Sequence, residues 1–106
     1  MHKLIYLPLA QKDLRDITSY ISDVLKVPKT AIDFIDTMES SISRLALFPY
    51  SCKVYQPLKQ LCYEYRVLVV KNYLVFYIVT EHEVEIHRIV YSKMDIQKLF
   101  NKDNIT

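Results

Sequence analysis

No glycine occurs anywhere in the 106 residues, and that absence removes several function classes. The P-loop and the dinucleotide-binding turn both bring bare backbone against phosphate, an approach that any Cβ obstructs, so no nucleotide cofactor is expected. The nucleophile elbow of the α/β-hydrolases needs glycine beside its strained turn and is excluded with them. Any turn that requires positive φ must then fall on Asn or Asp, and Asn72 sits between two apolar runs where such a turn is wanted.

Long apolar runs are also missing. No stretch approaches the roughly 18 uninterrupted apolar residues that span a bilayer, and the opening MHKLIYLPLAQKD turns polar too soon for a secretory signal. A cytoplasmic protein with no membrane role is expected. Cys52 and Cys62 are ten apart, outside any CxxC pairing, and in a reducing compartment they read as two ordinary thiols. His2, His82 and His87 show neither helical i,i+4 spacing nor pairing with cysteine, so no metal site is expected. Net charge is only +2. Divided at Pro49, the chain carries six basic and six acidic residues before it and eight basic and six acidic after, so the whole excess lies in the second half. That balance permits a nucleic-acid partner without indicating one.

What is present is periodic. Residues 2–7 read as a short strand closed by Pro8. Over 9–26, Ala10, Leu14, Ile17, Ile21 and Val24 mark one face of a helix, with Tyr20 and Leu25 widening it. Pro28, acceptable in a first turn and disruptive later, opens a second helix whose stripe is Ala31, Ile35, Met38, Ile42 and Leu45, ending near Phe48-Pro49. The polar faces, including Lys12, Asp13, Arg15 and Asp16, read as solvated surface. After a loop over 50–61, the segments 63–70, 73–80 and 84–91 are dense in Val, Ile, Tyr and Phe and read as three consecutive antiparallel strands. Ser92-Lys93-Met94-Asp95 resembles a capping box ahead of Ile96, Leu99 and Phe100, predicting a short last helix. The fold class is therefore α+β, with residues 1–106 as one domain. An N-terminal strand precedes a two-helix antiparallel hairpin, which packs on an antiparallel sheet completed by the three C-terminal strands. The hairpin covers one sheet face, and the other is expected to stay open for function.

The groups able to do chemistry ride on those strands: Glu64, Arg66, Lys71, His87, Arg88, Tyr91 and Lys93. An arginine among Val, Ile and Tyr needs either a carboxylate or an exposed face. Arg66 and Arg88 can pair across strands with Glu64, Glu83 or Glu85. Alternatively, both guanidinium forks engage phosphate, Lys93 adds a point charge, and Tyr91 or His87 relays a proton or stacks on a base. Attack by a ribose 2′-hydroxyl needs a base, an acid and stabilisation of phosphorane-like charge, and requires no metal. Counting by twos puts Arg88 and Tyr91 on opposite faces of the last strand unless a bulge intervenes.

The residues Pro8-Leu9-Ala10, Asp13-Leu14, Ile17 and Tyr20-Ile21 carry a resemblance that continues in Pro28, Ala31, Phe34, Ile42, Leu45 and Phe48-Pro49. With Tyr65-Arg66, Tyr73-Leu74-Val75-Phe76-Tyr77, Ile86-His87-Arg88-Ile89 and Asp95, the chain resembles the RelE/ParE toxin superfamily along nearly its whole length. The resemblance implies a growth-inhibiting toxin encoded beside an antitoxin that wraps it, the complex reaching operator DNA only through that antitoxin. RelE-like members cleave ribosome-bound mRNA, whereas ParE-like members inhibit DNA gyrase. RelE-like nucleases carry an arginine after the tyrosine that opens the third strand, where this chain has Leu74 after Tyr73. They follow the last strand with a basic pair and then a tyrosine, where this chain has Ser92-Lys93-Met94 and Phe100. Losing one positioned charge-stabilising group costs about 3 kcal/mol of transition-state energy, so the depletion favours the ParE-like, non-nuclease mode. A metal-independent mRNA endoribonuclease using Arg66, Arg88, Tyr91, Lys93 and His87 is the alternative, and a non-toxic antitoxin-binding corepressor is another. The edge of the sheet and the apolar Ile96, Leu99 and Phe100 are expected to take up the antitoxin.

Overall fold

The computed structural model describes residues 1–56, 61–94 and 96. Strand β1 (Lys3–Tyr6) leads into helix α1 (Pro8–Ser19), a π turn (Tyr20–Val24), helix α2 (Pro28–Ser43) and a 3-10 turn (Arg44–Ala46). Strands β2 (Arg66–Val70), β3 (Tyr73–Val79) and β4 (Glu83–Tyr91) follow. The sheet order is β1-β4-β3-β2, with antiparallel pairing among the last three and β1 parallel to β4. The sheet is thus mixed, and the first strand of the chain lies against the last.

Each helix starts where proline prescribes. Pro8 and Pro28 occupy the first turns of α1 and α2, where a missing N–H costs nothing, and Leu7 is extended at φ −69°, ψ 158° as a residue before proline must be. Neither start has a side-chain cap. The helices hold through burial instead: Ala10 from α1, Ala31, Phe34, Met38 and Ile42 from α2, and Leu45 beyond it meet Val75, Tyr77, Val84, Ile86 and Ile89 of the sheet. Fully buried side chains such as Met38 and Ile42 each contribute about 1.5–3 kcal/mol.

The first helix was expected to run regularly to residue 26, and it does not. From Tyr20 it widens, the Leu25 N–H donating to the Tyr20 carbonyl five residues back, so the apolar stripe rotates off the core after Ile21. Ile21 is buried while Tyr20, Val24 and Leu25 are exposed. Lys26 at φ 57° then turns the chain, with the Val27 N–H donating to the Ile21 carbonyl. Positive φ also occurs at Lys71 (φ 54°), beside the position expected to take it, Asn72. The two-residue connection between Val70 and Tyr73 places its left-handed residue first, so lysine rather than asparagine carries the cost.

The sheet face away from the helices is not open, as had been expected. Tyr65, Phe76, Ile78 and Val90 form a second buried cluster there, with Tyr55, Leu61, Val67, Leu74 and Ile96 packed against it. β2 begins at Arg66 rather than Tyr63, but the chain before it is held. The Tyr55 N–H donates to the Tyr65 carbonyl and the Val67 N–H to the Lys53 carbonyl, so the stretch around Val54 runs along the outer edge of β2. The last helix, expected from Ser92, and its Leu99 and Phe100 lie outside the described residues, and Ile96 is half-buried against the second cluster.

Candidate functional site

β4 is longer than its parallel partner. β1 covers Glu83 to Ile86 and the Leu7 N–H donates to the Ile86 carbonyl, after which the edge of β4 meets α1 instead of a strand. Asp13 of α1 closes that edge. Its carboxylate accepts the Ile89 N–H at 2.9 Å and takes Arg88 in two-point fashion, Nε at 2.7 Å and Nη2 at 2.9 Å. The side chains are 15% (Arg88) and 13% (Asp13) exposed, so this is a largely desolvated pair. Asp13 is therefore not the solvated helix residue that its sequence neighbourhood implied. Its helical phase held the signal: three residues after the fully buried Ala10, it lies on the stripe that faces the sheet.

The same strand carries a bulge. Phe76 pairs with Arg88 and Tyr77 with Ile86, leaving His87 as the additional residue. Before it, Val84 and Ile86 face the helices; after it Ile89 does, while Val90 joins the opposite cluster. From Arg88 to Tyr91 the register is regular, so the two still alternate faces as counted on the sequence; Arg88 instead reaches round the edge of β4 to Asp13, and there it and Tyr91 line one groove of about 580 Å³. Tyr20, Tyr73, Ile17 and Met94 complete its apolar wall, with Asp13 and Asp16 at its rim. Burial, with Tyr91 and Tyr20 nearby, pushes the Tyr73 phenol up, so at neutral pH it is a hydrogen-bond donor and not a base.

His87 lies outside that groove. It is 2% exposed, beneath the edges of the Tyr63 and Tyr65 rings. Burial also raises the Tyr65 phenol, which therefore donates to His87 Nδ1 at 3.0 Å, while Nε2 carries the proton toward Glu85 at 3.2 Å. The imidazole's own affinity for a proton is lowered by burial, against a smaller opposing pull from Glu85. A sealed neutral histidine anchors the bulge and is remote from the groove's solvent.

Arg66 sits two strands away from Arg88, on β2 at the far edge of the sheet beyond β3. Its Nη1 donates to the Cys52 carbonyl at 2.6 Å and lies 3.5 Å from the Tyr50 carbonyl, and its guanidinium carbon stands 5.0 Å from the Tyr50 ring centre. Neither arginine pairs with Glu64, Glu83 or Glu85. Lys93 is exposed beyond the end of β4. Of the five residues read as candidates, the fold thus brings Arg88 and Tyr91 to one groove and separates Arg66 and His87 from it. Among the described residues, no group of three His, Cys, Asp or Glu side chains is placed to hold a metal ion.

Residues 4–96 match the family model of the ParE toxin of the type II toxin-antitoxin system parDE. The chain belongs to the ParE toxin family. Among solved structures, the chromosomal ParDE toxin-antitoxin system from P. aeruginosa is similar in fold, with a TM-score of 0.72 at 19% identity over 88% of this chain and 98% of that one. No protein of curated description matches. As a ParE-family member, the chain is the toxin of a type II pair, and its partner is a cognate antitoxin. No helix among the described residues is long and apolar enough to cross a membrane.

Proposed function

We propose that this ParE-family toxin arrests growth by acting on DNA gyrase in the cytoplasm, without nuclease chemistry. One observation carries the reading: the Nε and Nη2 edge of Arg88, the edge that would grip a scissile phosphate, is already filled by Asp13. The other guanidinium lies two strands off and the one buried imidazole is sealed between tyrosines. A base, an acid and a phosphate clamp within reach of one phosphodiester are not assembled from Arg66, His87, Arg88 and Tyr91. What the Arg88 groove offers is aromatic and sulfur surface around a satisfied ion pair, a composition suited to gripping a protein. Ile96, with Leu99 and Phe100 after it, is assigned to the antitoxin, which would cover that end of the second cluster.

The test pairs two assays on the purified toxin. Inhibition of gyrase supercoiling, relieved by the antitoxin, together with intact mRNA in a translation extract is the expected result. Codon-spaced cuts that vanish in Arg66→Ala or Tyr91→Phe would overturn the gyrase reading in favour of an endoribonuclease.

A further inference from the structure

The two strand arginines solve the same problem in different ways. Arg88 spends its Nε and Nη2 on Asp13. Arg66 uses only Nη1, on backbone carbonyls, and rests against the Tyr50 ring. Its Nε and Nη2 have no acceptor among the described residues, and the residue lines a cavity of about 280 Å³ together with Tyr63, Glu64 and Thr80. A guanidinium is costly to hold half-buried with its charge uncompensated. Carbonyls and an aromatic face orient it but supply no full negative charge.

Tyr50 and Tyr63 flank this cation, and Leu47 and Phe48 precede Tyr50 in the chain. Leu47, Phe48 and Tyr50 are each about three-fifths exposed, and Tyr63 is 43% exposed. Tyr, Phe and Arg clustered in this way are the composition of protein-interface anchors. Glu64 on the cavity wall would repel a run of phosphodiesters more than it would a single carboxylate seated on the far side of the guanidinium.

We propose that Arg66 is an anchor for an acidic side chain of the antitoxin, whose carboxylate takes the open Nε and Nη2 edge as Asp13 takes that of Arg88, while apolar neighbours cover Phe48 and Tyr50. The proposal rests on the antitoxin partnership and is independent of the gyrase reading. Pre-orientation of the guanidinium by the Cys52 carbonyl and the Tyr50 ring makes the site rigid before the partner arrives.

Isothermal titration of the purified toxin with the antitoxin encoded beside it tests the anchor. Arg66→Gln is expected to weaken binding at least about tenfold, and Arg66→Lys, which keeps a donor for Cys52 but loses two-point geometry, to weaken it nearly as much. Lys53→Gln, which alters an exposed cation, should change it less than about twofold. In the Arg66→Glu toxin, a scan replacing each antitoxin Asp and Glu by Lys should restore affinity at one position. Equal affinity of wild-type, Gln and Lys variants overturns the anchor while leaving the partnership intact; failure of the wild type to bind overturns both. Loss of affinity for a single-stranded 12-nucleotide RNA in Arg66→Gln, with antitoxin binding unchanged, overturns it in favour of phosphate.

Discussion

Asp13 accepts three hydrogen bonds, and they tie a helix, a strand edge and a guanidinium into one unit. Asp13→Ala leaves Arg88 charged and largely buried with the Ile89 amide unpaired, and is expected to cost about 3 kcal/mol in urea unfolding. The double variant Asp13→Leu/Arg88→Met should recover part of that loss, because no charge is stranded; equal or greater destabilisation would show that the pair itself stabilises the fold. His87 carries the pH dependence. Its proton affinity is lower folded than unfolded, so below its ordinary range the unfolded chain binds the extra proton and stability falls with pH. Between pH 7.5 and 5.5, above the carboxylate range, the thermal midpoint should drop in the wild type and stay flatter in His87→Gln. Of the two roles, only that of Asp13 leaves a local trace, its helical phase after Ala10. Otherwise Asp13 reads as a polar helix residue and His87 as one strand position among others until their partners are known.

At the scale of elements, periodicity served well wherever one face meets one core. α2 and β3 lie close to their predicted spans because their apolar stripes are long and end at prolines or polar turns. It failed where the backbone departs from regular repeat: the π turn at Tyr20–Val24 and the bulge at His87 each insert a residue that no spacing announces. The β2–β3 turn offers a direct test. Lys71 holds φ 54° against a penalty of about 1 kcal/mol for a residue bearing Cβ. Lys71→Gly should therefore stabilise by about 0.5 kcal/mol after glycine's entropic cost. A lower thermal midpoint would show that the lysine side chain contributes more than its backbone strain removes.

For the whole molecule, the decisive pairing is between the ends of the described chain: Lys3 to Tyr6 run parallel to Glu83 to Ile86, so the sheet is complete only when first and last strands meet. A chain lacking residues 1–6 should lose its cooperative thermal transition by circular dichroism, since Leu4 and Tyr6 leave the core and one side of β4 opens. Retention of a sharp transition would show that the helix hairpin and three antiparallel strands suffice. The amino-acid order alone determined the α+β class, the two proline-started helices, the three strands and the exclusion of glycine-dependent phosphate sites, because each depends on residue type and spacing within a few turns. Folding decided that the second sheet face is covered, that Arg88 is neutralised and that Arg66 meets no carboxylate among the described residues. Those outcomes depend on which charges meet across large separations, such as the 75 residues between Asp13 and Arg88, and no local pattern records such a meeting.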